Sequence, residues 1–222
     1  MTYVPRIKIC CIASPAEADL AVSLGADILG FVAEPASGPG VVTNDAIRSM
    51  VCTVPPGVNT FLLTLRTTAP EIAEHVAFCG TDSVQLVKHL DPAEHERLAT
   101  LMPPNIRRIQ VIHVEDDSVL DLIDVYTPFV DAFLLDSGRP NAAVPDFGGT
   151  GRTHDWSISR AYVQRSKLPV FLAGGLNAGN VGDAIERVDP FGLDLCSGVR
   201  SNGQLDEGKL RAYFEAVRAA QN

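Results

Sequence analysis

The sequence has 222 residues, 46% of them hydrophobic and 20% charged, with a formal net charge of −9. Such a length suits one sizeable core or two small ones, and an acidic chain without a Lys/Arg block argues against a nucleic-acid or anionic-membrane partner. No apolar run is long enough to span a membrane, and Met1–Arg6 carries no apolar signal core, so a cytoplasmic protein is expected. The five cysteines, Cys10, Cys11, Cys52, Cys79 and Cys196, are odd in number and form no C-x-x-C. Neither a zinc site nor a disulfide framework is expected, and free thiols suit a reducing setting. Cys52 and Cys79 read as buried small hydrophobes.

Apolar bursts alternate with helical stretches from the start. Ile7–Cys10 is the first strand. Ser14 caps the first helix, with Pro15 in its first turn and Glu17 three residues past the cap; Gly25 ends it. Asp27–Val32 is the second strand, followed by a loop of small residues over 34–40. Thr43 and Asn44 can cap a helix to about Cys52. After the Pro55-Pro56-Gly57 turn, Asn59–Thr64 is a strand and Pro70–Phe78 a helix stopped by Gly80. Ser83–Val87 is a strand, and Asp91 caps the next helix with Pro92 and Glu94 behind it. Arg108–Ile112 is a strand, 117–126 a helix, and Ala132–Asp136 a strand.

A long connection then runs from Ser137 to His154 and contains Gly148-Gly149-Thr150-Gly151. Compact domains rarely hold such a loop without a functional use. Asp155-Trp156-Ser157 opens a helix, and two glycine-ended strands follow, Leu168–Gly175 and Phe191–Gly198, separated by a helical stretch. A helix over 207–220 closes the chain. Eight strands alternate with eight helices. This predicts a parallel sheet with right-handed crossovers, arranged as one (β/α)₈ TIM barrel domain over 1–222. A doubly wound open sheet is the competing arrangement, weakened by the lack of G-x-G-x-x-G after the first strand.

Barrel sites lie at the C-terminal ends of the strands. Polar residues there are Cys10, Cys11, Glu34, Thr64, Gln85, His113, Asp136, Asn177 and Ser197. Asp136 ends an apolar strand, where partial desolvation suits a general acid; it could equally cap the next turn. Cys10 beside an anion site could be a base or nucleophile, or a core cysteine. The paired glycine ends around Gly174, Gly175 and Gly198 can bring backbone N–H groups close to a phosphate. His75, His89 and His95 read as solvated, His113 and His154 as surface or turn residues, and Asp131, Asp189 and Asp194 as turn residues. No His/Asp/Glu cluster has metal-ligand spacing.

Lys8-Ile9-Cys10, Gly25-Ala26-Asp27, Gly30-Phe31-Val32, Gln85-Leu86, Leu134-Leu135-Asp136, Gly148-Gly149-Thr150-Gly151, Asp155-Trp156, Leu172-Ala173-Gly174-Gly175-Leu176-Asn177, Asn180-Val181 and Ser197-Gly198-Val199 occur in order. With this set the chain resembles the phosphoribosylanthranilate isomerase family over nearly its whole length. The resemblance implies an Amadori rearrangement of N-(5-phosphoribosyl)anthranilate in tryptophan biosynthesis. It implies Cys10 as general base and Asp136 as general acid. The phosphate would sit on Gly174, Gly175, Ser197 and Gly198. Gln85, Gly149, Thr150 and Arg200 are further possible substrate contacts. It implies no metal or organic cofactor, a small sugar-phosphate substrate as partner, and a monomer or homodimer.

Four departures from the family pattern bear on the substrate. Cys11 replaces the glycine of Lys-Ile-Cys-Gly. Ser37-Gly38-Pro39-Gly40-Val41 puts Pro39 where the family carries the arginine that holds the anthranilate carboxylate. Gln-Leu-His-Gly becomes Gln85-Leu86-Val87-Lys88, and the glutamate after Ser-Ser-Gly-Val becomes Arg200. Either Arg200, Lys88 or Arg139 supplies a replacement cation, or a diverged isomerase or lyase acts on another phosphorylated carbonyl or aminoaldose. A non-catalytic phosphoryl-ligand binder is the third reading.

Overall fold

The structure, a computed structural model, describes residues 4–33, 40–138 and 151–220. Eight strands form the centre: β1 Arg6–Ile9, β2 Ile28–Ala33, β3 Asn59–Thr64, β4 Ser83–Leu86, β5 Arg107–His113, β6 Ala132–Asp136, β7 Val170–Leu172 and β8 Gly192–Leu195. Each pairs in parallel with its sequence neighbours, and β1 pairs with both β2 and β8. The sheet therefore closes into a barrel. The helices are α1 Pro15–Leu24, α2 Asn44–Val51, α3 Ala69–Cys79, α4 Pro92–Leu101, α5 Leu122–Tyr126, α6 Trp156–Arg165, α7 Val181–Val188 and α8 Glu207–Ala219.

Side chains alternate across each strand, so the sequence splits into two cores. Outward residues such as Ile9, Leu29, Leu62, Ile112 and Leu135 meet the helices, while Ile28, Phe61, Ile109, Val111, Leu134 and Phe171 fill the barrel. The helix starts follow the expected caps. Ser14 accepts from the Glu17 N–H at 3.2 Å, Thr43 from Ala46 at 3.3 Å and Asp91 from Ala93 at 2.8 Å. Gly25 and Gly80 end α1 and α3 with φ of 107° and 74°, where a side chain would be strained. The N-terminal rim is tied by aspartates at strand starts: Asp27, Asp82 and Asp131 accept from the N–H groups of Ile7, Thr60 and Arg108.

Several expectations change. The single helix expected over 117–126 is a 3₁₀ turn, Asp117–Asp121, running into α5; Asp116 accepts from the Ser118 N–H at 2.9 Å and starts the segment tightly. Arg200–Ser201 and Gln204–Leu205 pair as a small hairpin around Asn202 (φ 52°) and Gly203 (φ 80°). The Asn-Gly dipeptide is the sequence signal for that turn. Cys79 is buried, but Cys52 is exposed because it stands just past the end of α2.

His75 and His95 are buried rather than solvated. His75 lies against Thr64 Oγ1 at 3.2 Å and Asn44 Oδ1 at 3.0 Å, with the Arg66 guanidinium on its Nδ1. His95 stacks on Phe129 with ring centroids 5.6 Å apart. Burial holds both imidazoles down at about 4, and Arg66 adds to this at His75. The folded chain thus keeps them neutral while the unfolded chain would protonate near pH 6.5. Stability is full above that pH and falls as pH drops from about 6.5 towards 4, by on the order of 1–3 kcal/mol per group. Urea midpoints measured at stepped pH should show this decline, and a flat profile across that window would contradict it.

Candidate active site

At the C-terminal mouth of the barrel, Cys10 follows β1 and its N–H donates to the Leu195 carbonyl at 2.9 Å. The residue is buried, and its Sγ faces Gly30 on β2. A Cβ built on Gly30 would lie 3.0 Å from that sulfur and 2.9 Å from Lys8 Nζ. Only glycine leaves this space to both groups. Sulfur and ammonium are therefore within about 6 Å of each other, close enough for strong Coulombic coupling.

Lys8 and Asp194 form a buried pair behind Cys10, so Asp194 is not the turn residue expected from the sequence. It lies inside β8, buried, with Oδ2 2.9 Å from Lys8 Nζ. Register Lys8↔Asp194 across β1 and β8 puts the two on one side of the sheet. Burial by itself would depress the Lys8 ammonium, yet Asp194, then Cys10, hold it above the ordinary lysine range. A lysine within the apolar strand Ile7-Lys8-Ile9 was the signal that could have revealed it.

Asp136 ends β6, three strands round the barrel through β8 and β7. Its Oδ1 accepts from the Ser137 N–H at 2.7 Å, so the turn-capping role is real and coexists with a position at the mouth. His113 pairs with it in register and is buried, with Nε2 2.9 Å from the Val87 carbonyl. It is neither a surface nor a turn residue. Gln85 shares its register with Ile109, inside the barrel. Its Oε1 has no hydrogen-bond partner among the described residues, which leaves an acceptor for a ligand.

Three loops converge beside Asp136. Gly174 and Gly175 have φ of 84° and 64°. A Cβ on Gly174 would stand 2.9 Å from Ser137 Oγ, and one on Gly175 would stand 2.8 Å from the Gly151 carbonyl oxygen. A Cβ on Gly198 would overlap the Leu176 carbonyl, and one on Gly151 would meet Ser197 Oγ at 3.6 Å. The backbone at Gly174, Gly175 and Gly198 is thus packed to a degree that needs glycine, while Gly151 is favoured by its φ of 76°. The Ser197–Val199 segment is a 3₁₀ turn directly after β8.

Other candidates take structural places. Thr64 points out of the barrel to His75, and Asn177 braces its own turn through Gly179 N–H and the Gly175 carbonyl. His154 is half-buried against Ser159 Oγ at 2.6 Å. Arg200 is corrected most. It is buried, forms a bidentate pair with Glu17 at 3.0 and 3.1 Å, and donates to the carbonyls of Cys10, Cys11 and Gly203. Its guanidinium braces the β1 end instead of meeting a ligand. Gly149, Thr150, Glu34, Pro39 and Arg139 lie outside the described residues.

Residues 7–216 match the family model described as N-(5'phosphoribosyl)anthranilate (PRA) isomerase. An N-(5'-phosphoribosyl)anthranilate isomerase from Methanocella arvoryzae is 32% identical, covering 97% of this chain and 99% of its own. One from Nostoc punctiforme is 36% identical, covering 96% and 98%. Among solved structures, the phosphoribosyl anthranilate isomerase of Thermotoga maritima superposes with a TM-score of 0.82 at 27% identity over 97% of this chain and 99% of that one. A further phosphoribosyl anthranilate isomerase, in complex with reduced 1-(o-carboxyphenylamino)-1-deoxyribulose 5-phosphate, gives 0.79 at 25% identity over the same shares.

Proposed function

The chain belongs to the N-(5'-phosphoribosyl)anthranilate isomerase family, whose isomerisation is a step of tryptophan biosynthesis, and from that premise we propose how its own residues carry the reaction. Asp136 protonates the ring oxygen of the aminoaldose as the anthranilate nitrogen pushes electrons towards C1. The C1–O bond breaks and a Schiff base forms. Cys10 then takes the proton from C2, and the resulting enolamine tautomerises to the aminoketose. Gly174, Gly175, Ser197 and Gly198 hold the phosphate through the backbone after β7 and β8. Gln85, with its unpartnered Oε1, offers an acceptor to the sugar or its nitrogen. No step calls on a metal or organic cofactor, and the proposed residues all belong to one chain.

The observation that carries this reading is the shared barrel mouth. Cys10 and Asp136 end different strands at the same rim as the glycine-dependent loops. An acid that protonates the ring oxygen and a base that takes the C2 proton serve different atoms of one sugar and are best supplied by separate elements facing it. The engagement of Arg200 with Glu17 removes it as the carboxylate partner, whereas the family match over 7–216 favours the anthranilate substrate over a diverged one. Purified protein incubated with N-(5-phosphoribosyl)anthranilate should discharge the substrate's fluorescence faster than buffer alone. It should also restore growth of a tryptophan auxotroph lacking this step. Folded protein that does neither would refute the substrate assignment.

A further inference from the structure

Three thiols meet where β1 and β8 end. Ile9 and Leu195 are register partners, so Cys10 and Cys196 are the next residues of two adjacent strands. Cys11 has φ 65°, a conformation that favours glycine. The turn keeps Cys11 beside these two strand ends, where its thiol and those of Cys10 and Cys196 influence one another's ionisation. The backbone is pinned there: the Arg200 guanidinium holds the carbonyls of Cys10 and Cys11, and Gly40 lies directly against the Cys11 carbonyl. Cys10 is buried, while Cys11 and Cys196 are half-buried. The proposed isomerisation uses only Cys10.

We propose that Cys11 and Cys196 form a reversible disulfide when the protein meets a hydroperoxide, making the rim of the barrel a redox-modification site. The order of attack follows from the surroundings. The Cys11 thiol and the nearby Arg200 guanidinium favour the thiolate of Cys196, whereas hydrogen bonding to Cys10 and then to Cys196, with burial, keeps Cys11 protonated. A thiolate rather than a thiol is the nucleophile towards peroxide. The Cys196 thiolate attacks one peroxide oxygen. The S–O bond forms, the O–O bond breaks, and the departing hydroxide leaves as water after taking a proton. The Cys11 sulfur then attacks the Cys196 sulfenic acid. The S–S bond forms, the S–O bond breaks, and the second hydroxide carries off the Cys11 proton as water. Two thiols are oxidised by two electrons, and one hydrogen peroxide is reduced to two waters.

The linkage joins the residue after Cys10 to the residue before Ser197. It therefore ties the proposed base to the proposed phosphate loop, and oxidised protein should lose isomerase activity. The chemical readout needs no substrate and stands apart from the proposed function. Hydrogen peroxide at small molar excess should remove two of the five free thiols. Non-reducing tryptic digestion should link the fragment 9–48 to the fragment 188–200, with fragmentation placing the bond at Cys11. Dithiothreitol should restore both thiols and the activity. Cys11→Gly suits the local φ and should fold, yet yield no linked fragments. Survival of all five thiols would overturn the proposal. So would a bond through Cys10, or linked fragments persisting in Cys11→Gly.

Discussion

Replacing Asp136 with Asn, or Cys10 with Ala, should lower kcat by about 10²- to 10⁴-fold, the usual contribution of a positioned acid or base. KM should move little, because the proposed phosphate grip around Gly174, Gly175, Ser197 and Gly198 is untouched by either change. Equal losses in kcat and kcat/KM mark an interaction made only in the transition state. Asn keeps the size of Asp136 and can stay in contact with the Ser137 N–H, so a folding defect is not expected there. Ala at Cys10 removes one sulfur from beside Gly30 and Lys8, a small cavity by comparison. Steady-state kinetics with N-(5-phosphoribosyl)anthranilate decide the matter. A variant within threefold of the parent would remove that residue from the proposed pair. The double variant should lose less than the product of the two single losses, since acid and base serve one sequence of steps.

Lys8→Met should destabilise the barrel by about 3–5 kcal/mol, the typical cost of removing one partner from a buried ion pair. The reason is Asp194. With Lys8 gone, a buried carboxylate inside β8 keeps neither its counter-charge nor its 2.9 Å hydrogen bond. Asp194→Leu in the same background should recover most of the loss, because well-packed apolar replacements of buried pairs are often neutral. Urea unfolding of the single and double variants checks both parts. A single variant as stable as the parent would show that the pair contributes nothing. The Lys8 ammonium also lies beside Cys10, so the recovered double variant should fold and yet turn over more slowly. That separates the electrostatic role of Lys8 at the sulfur from its structural one.

The architecture was readable because local rules and the global fold agree. Ser14, Asp91 and Gly80 mark helix ends by their own chemistry, and runs such as Ala132–Leu135 are apolar on both faces as a covered parallel strand must be. The mouth was readable for the same reason: once β1 and β6 are strands, Cys10 and Asp136 are at their C-terminal ends. The misreadings share a different cause. His75, His95 and Asp194 are polar residues in ordinary sequence surroundings, and their burial depends on partners 9 to 186 positions away. Arg200 reads as a free cation until Glu17, 183 residues earlier, is folded against it.

The sequence by itself determined the alternation of strands and helices, the ordered motifs of the family and the residues that end each strand, because these follow from periodicity, capping and backbone preference over short spans. Only the tertiary structure decided which polar groups face each other across the closed barrel. It joined Lys8 to Asp194 beneath Cys10, engaged Arg200 with Glu17, and set Cys196 at the end of the strand next to that of Cys10. The physical reason is closure: pairing β1 with β8 brings the two ends of the chain side by side, and charge, burial and thiol contact then depend on distance in space rather than along the sequence.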